Sequence, residues 1–92
     1  MSAIHRYEVP VDDRPHRHIL GGPIVHVAAR HVDAVDFWAI YDVDGIQQQR
    51  AFQVVGTGHE IPSGATHVGT AIAPGGRLVW HLFELESASW AP

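Results

Sequence analysis

The chain has 92 residues and a net charge of −4, with ten acidic groups against six cationic ones, all of them arginine, and no cysteine. That length supports one domain with a modest core, which favours a shallow groove or a cleft shared between subunits over a deep private pocket. Disulfides, thiolate nucleophiles and cysteine-type zinc sites are excluded, and the scattered arginines form no basic run of the kind that holds duplex nucleic acid.

The start Met1-Ser2-Ala3-Ile4-His5-Arg6 has no apolar signal region, and no apolar run reaches membrane-spanning length. The expectation is a cytoplasmic protein with no membrane partner. Lysine and asparagine, whose codons are AT-rich, are both missing, which points to a GC-rich genome.

In chain order, residues 4–9 read as a short strand closed by Pro10, and Asp12-Asp13-Arg14-Pro15 as a turn. Residues 16–20 read as a second strand, ended by Gly21-Gly22-Pro23. Residues 24–29 form a third, with Val25, Val27 and Ala29 expected on one face and Ile24, His26 and Ala28 on the other. A loop, wide turn or short helical turn is expected over 31–35. Residues 35–42 carry Phe37-Trp38-Ala39-Ile40-Tyr41, apolar on both faces as a central or interface strand would be. Asp44-Gly45 signals a hairpin turn before a strand over 48–55.

Gly56-Thr57-Gly58-His59 and Ile61-Pro62-Ser63-Gly64 then make a loop. Strands follow over 66–73 and 77–84, separated by Pro74-Gly75-Gly76, and residues 87–92 read as a tail that Trp90 could dock. Turn signals recur at about 8–12 residues and no sustained helical period appears, so the expected fold is all-β. It is one domain over 1–92 with its core over about 4–86: a compact antiparallel sandwich or small barrel of six or seven strands.

The loop at Gly56, Thr57, Gly58 and His59 is the leading site candidate. Two glycines permit positive φ and close backbone approach, so successive amides can form an anion-binding nest, with a hydroxyl and an imidazole beside it. A wide turn that merely needs glycine is the plainer reading. No helix follows and a third glycine is missing, so this is not a dinucleotide fingerprint. His81, in phase with Val79 and Phe83, reads as a core or interface histidine with bonded ring nitrogens; if a cavity opens on that face, His81 and Glu84 flank it. His16 and His18, two apart on a strand, share a face as a metal pair would, or are simply solvated on an edge. No serine–histidine–acid order is defensible, so neither a catalytic residue nor a cofactor is assigned.

The segments Val55-Gly56-Thr57-Gly58-His59, His67-Val68-Gly69-Thr70 and Leu78-Val79-Trp80-His81-Leu82-Phe83-Glu84 resemble a small family recurring in tailed-phage and prophage genomes, actinobacterial ones included. Tyr7-Glu8-Val9, Gly22-Pro23-Ile24-Val25-His26-Val27 and Phe37-Trp38-Ala39-Ile40 fit the same pattern, so the resemblance spans residues 4–84. It implies a phage origin and location in the bacterial host's cytoplasm, with no defined activity. A phage accessory protein of this size is expected to act by binding, as a homo-oligomer. Its sharpest form sequesters a nucleotide-derived immune signal at a subunit cleft. There the loop 56–59 holds phosphate, Arg50 or Arg77 pairs with it, Trp38 or Trp80 stacks a base, and His81 lies alongside. Two alternatives stand beside it. One is virion decoration or host-protein binding through Trp38, Tyr41 and Trp90; the other is a histidine- or metal-dependent hydrolase.

Overall fold

The computed structural model describes residues 1–87, so the expected tail lies outside the described residues save for Ser87, and Trp90 with it. Among the described residues seven strands form: β1 (Ser2–Pro10), β2 (His16–Leu20), β3 (Ile24–His31), β4 (Ala34–Asp42), β5 (Gln48–Gly56), β6 (Thr66–Ile72) and β7 (Val79–Glu84). They make two antiparallel sheets, one ordered β1-β4-β3 and the other β2-β5-β7-β6. The molecule is a small β-sandwich, with no α-helix among the described residues.

Alternation along the strands places the core between the sheets. Val35, Phe37 and Ala39 of β4 face Phe52 and Val54 of β5 and Leu82 of β7, with Val9 and Leu20 closing the cluster. The Phe37 and Phe52 rings meet across the sandwich at 4.7 Å between centroids, and neither is exposed to solvent. Burying one such ring stabilises the fold by about 1.5–3 kcal/mol. β4 is the central strand of its sheet, as its two apolar faces required.

Two details depart from simple alternation. A register shift between Ile24 and His26 makes β3 bulge, so Ile24 and Val27 both pack against the core while Val25 turns to solvent. A second register shift, between Ala28 and His31, interrupts the strand again, so the simple two-face alternation expected of it does not hold. Over 31–35 the chain makes no helical turn: Val32 and Asp33 form a tight connection whose carbonyls find partners elsewhere. The Trp80 indole N–H donates to Val32 O at 3.2 Å, and the Val11 amide donates to Asp33 O at 2.8 Å. Long-range bonds satisfy groups that a helical turn would have satisfied locally.

The turn before β2 is organised by Asp12. Its carboxylate accepts from His16 Nε2 at 2.8 Å and from the Arg14 amide at 3.1 Å, and the His16 bond holds it below the usual carboxylate range.

Candidate functional site

β5 ends at Gly56, and the chain reverses at once: the His59 amide donates to Gly56 O at 3.0 Å, closing a four-residue turn. Gly58 has φ +87° while Thr57 is not in the positive range, the pattern of a type II turn, whose third residue must be glycine or asparagine. The tight reversal leaves Thr57 and His59 exposed to solvent. It also spends the His59 amide internally, so the anion nest expected here keeps fewer donors than the sequence offered.

The turn is the common wall of two clefts. On one side lies a groove of about 400 Å³ lined by Gly56, Thr57, His59, Arg77, Leu78, Val79 and Trp80. On the other lies a smaller cleft of about 210 Å³ lined by Val55, the four turn residues, Ile61, His81 and Phe83. Only the first reaches the ~300–1,000 Å³ typical of small-molecule sites. Among the described residues, no aspartate or glutamate lines either cleft, in a chain of net charge −4. Arg77 makes no ion pair or hydrogen bond to another described residue. Its guanidinium is free to meet an anion.

Trp80 forms a wall rather than a platform. Its indole packs against the core and its N–H is held by Val32 O, while its six-membered ring lies over Gly56. A Cβ on Gly56 would stand 3.2 Å from that ring and 3.4 Å from His59 Nδ1, so glycine there lets both rings close on the backbone.

Behind Thr57 runs a chain of side-chain hydrogen bonds on the outward face of β6 and β7. Thr57 Oγ1 lies 2.9 Å from His81 Nε2, His81 Nδ1 lies 2.9 Å from Thr70 Oγ1, and Thr70 Oγ1 lies 2.9 Å from His67 Nε2. Both ring nitrogens of His81 are therefore engaged, as expected of it. The partners Thr70 and His67 went unrecognised in the sequence. Thr70 sits opposite His81 in the β6–β7 register, which only the strand pairing reveals. His67 and Thr70 are three apart, which on a regular strand means opposite faces. The β6 bulge between His67 and Gly69 brings them to the same one.

This arrangement resembles a nucleophile–base–orienter triad but lacks its acid. Among the described residues it is Thr70, not a carboxylate, that stands at His81 Nδ1, where a triad would hold the acid that stabilises an imidazolium.

Of the nine residues expected to make the site, seven gather here: Gly56, Thr57, Gly58, His59, Arg77, Trp80 and His81. Arg50 and Trp38 stand apart. Arg50 donates through Nε and Nη2 to Glu84, each bond 2.7 Å, and this bond to Glu84 raises its pKa further. Arg50 and Glu84 belong to a larger cleft of about 540 Å³ with Gln48, Gln49 and Glu86, where the arginine's charge is already neutralised. Glu84 therefore lies away from the cleft beside His81. Trp38 is on the other sheet, on the face of β4 opposite Phe37, tilted against His26 at 5.4 Å.

The histidine pair on β2 is likewise spoken for: His16 bonds Asp12 and His18 Nε2 donates to Glu8 O at 3.0 Å. Among the described residues no group of three or more histidine, cysteine or acidic side chains comes together to hold a metal.

A two-sheet β-sandwich of seven strands with a turn-walled, acid-free groove is the class of molecule these observations define. The chain belongs to the family described as a domain of unknown function, DUF7352, whose profile matches residues 1–91. Neither a curated protein nor a solved structure matches it.

Proposed function

We propose that this protein is a non-catalytic binder of a small anionic, ring-bearing ligand of the nucleotide class, held in the groove between the 56–59 turn and the segment Arg77 to Trp80. The observation that carries the reading is that Arg77, beside Thr57 and His59, has no partner among the described residues, in a groove that none of their carboxylates lines. Arg77 supplies positive charge and donors for phosphate oxygens, His59 and Thr57 add an imidazole and a hydroxyl, and Leu78, Val79 and Trp80 give an apolar wall for a base or sugar. Sequestration of a nucleotide-derived signal in a phage-infected cell is the sharpest form of this reading; its phage context rests on the sequence resemblance alone.

Isothermal titration with ADP-ribose and cyclic dinucleotides tests it. Arg77→Ala should weaken binding roughly tenfold to a hundredfold, the worth of a hydrogen-bonded charge. Arg6→Ala, an equal change in net charge on β1 of the other sheet, should leave it unaltered. Equal losses in both variants would reduce the effect to bulk electrostatics.

A second reading is favoured by the outward face of the first sheet. Ile4 is 61% exposed there beside Trp38 and Ile40, a surface that a second copy, a virion protein or a host protein would cover. Co-purification of the protein with intact particles at fixed stoichiometry would favour that reading over the groove.

A further inference from the structure

A sheet edge left unpaired is a template for another strand, and monomeric proteins blunt such edges with short strands, bulges, proline or lysine. Among the described edge strands, β2 is five residues long, β3 carries two register shifts and β6 carries one. β1 has none of these devices. It pairs with β4 over nine residues without a shift, contains no proline before Pro10, and belongs to a chain without lysine. Residues 2–6 are exposed, and β4 is the only described strand hydrogen-bonded to β1.

Two bonds show which backbone groups face that open edge. Met1 O accepts from the amide of Val43, just past the end of β4, so odd-numbered residues turn towards β4. Glu8 O accepts instead from His18 Nε2 at 3.0 Å, so even-numbered residues turn away from it. The N–H and C=O groups of Ser2, Ile4 and Arg6 therefore point to the open edge. His18 occupies that edge at Glu8 and ends the open stretch.

These three residues are complementary to a second copy of themselves running the other way. A two-fold axis at Ile4 sets Ser2 opposite Arg6 and Ile4 opposite Ile4, and each pair exchanges both N–H···O bonds. An axis at Ala3 uses only Ser2 and Ile4 of the three. An axis at His5 or Arg6 calls on Glu8, whose carbonyl is taken, and the latter also sets two arginines opposite each other. At Ile4 the side chains agree with the backbone. The two isoleucines meet on the outward face, each beside Ile40 of its own β4, and the exposed Met1 comes opposite the half-buried Tyr7.

We propose that two copies of this chain pair antiparallel through the open edge of β1 with the axis at Ile4, making one continuous sheet ordered β3-β4-β1-β1-β4-β3. The proposal rests on the second reading above, for which it names the occupant, and is independent of the groove.

Sedimentation of the full chain over a range of concentrations should show a monomer–dimer equilibrium. Ile4→Pro removes one edge donor from each copy and no bond to β4. It should weaken dimerisation by about tenfold or more and leave the monomer folded. Because the chain has no cysteine, single cysteines read the register. Ile4→Cys places two Cα atoms about 5.5 Å apart and should cross-link to itself under mild oxidation. Ser2→Cys and Arg6→Cys, each about 13 Å or more from its own equivalent, should cross-link only when the two variants are mixed. In the unmodified protein, amide exchange at Ile4 and Arg6 should slow as concentration rises, while His5 and Tyr7, already turned to β4, should not change.

A monomer at every concentration would overturn the proposal, and the second-copy form of the second reading with it. A dimer that Ile4→Pro leaves intact, with exchange at Ile4 and Arg6 independent of concentration, would overturn the edge alone and put association on the outward face. Self-cross-linking of Ser2→Cys or Arg6→Cys would overturn the register.

Discussion

Arg50 and Arg77 differ little as letters in the sequence; their neighbours decide what each can do. Arg50 is clamped by Glu84 with both groups about a quarter exposed, 26% and 27%. Its substitution should therefore be felt in stability and not in binding. Arg50→Ala should cost about 1–3 kcal/mol, between the exposed-pair and buried-pair ranges, and leave nucleotide affinity unchanged. Chemical denaturation and titration of one protein preparation measure both. His18 makes a second residue-scale case. Burial beside Tyr7 and Phe37 pushes its pKa below the ordinary imidazole value, against the opposing pull of the Glu8 carbonyl. The unfolded chain then binds more protons than the folded one between the lowered value and about 6.5. Stability attached to His18 is present above that window and lost as pH falls through it. We predict that the melting temperature drops from pH 7 to pH 5, and that His18→Gln removes part of the drop. An equal drop in the variant would assign the effect to other groups.

At the scale of elements, the strand runs were legible because β-type residues and glycine or proline punctuation coincide. Residues 16–20 and 24 onward start where the turns before them end. Pairing was not legible, and most of what the sequence could not reveal about the site follows from that. The hydroxyl opposite His81 belongs to a strand whose register depends on a bulge, and bulges leave no fixed signature in a single sequence. Arg50 looked available because Glu84 is 34 residues away and meets it only through the β5–β7 pairing. A close approach between the sheets makes a further prediction. A Cβ on Gly69 of β6 would stand 2.7 Å from Cγ2 and 2.9 Å from Cβ of Val27 on β3, so glycine is needed there for contact rather than for φ. Gly69→Ala should destabilise by about 1–3 kcal/mol. Adding Val27→Ala should recover part of that loss, because the two positions share one space. Additive losses in the double variant would mean that the two do not meet.

Over the whole molecule, two sheets with one shared core leave the ends of the sandwich for function. The turn 56–59, the Val32 carbonyl and the start of β7 converge at such a place, and Trp80 ties them to the core through its packing and its one hydrogen bond. The groove is thus built on paired strands although its wall is a turn, and the proposed binding would draw on that support. Self-association, expected from the apolar faces of β4 and β7, is a separate proposal, and the exposed Ile4 with Trp38 on the first sheet is the surface that would carry it. Native mass spectrometry of the protein as purified, then with ADP-ribose and cyclic dinucleotides added, reads groove occupancy and subunit number in one spectrum. A mass shift matching a phosphorylated small molecule, released on denaturation and absent from Arg77→Ala, is the predicted result. A bare protein mass throughout, unmoved by every nucleotide in the panel, would contradict the groove as a binding site.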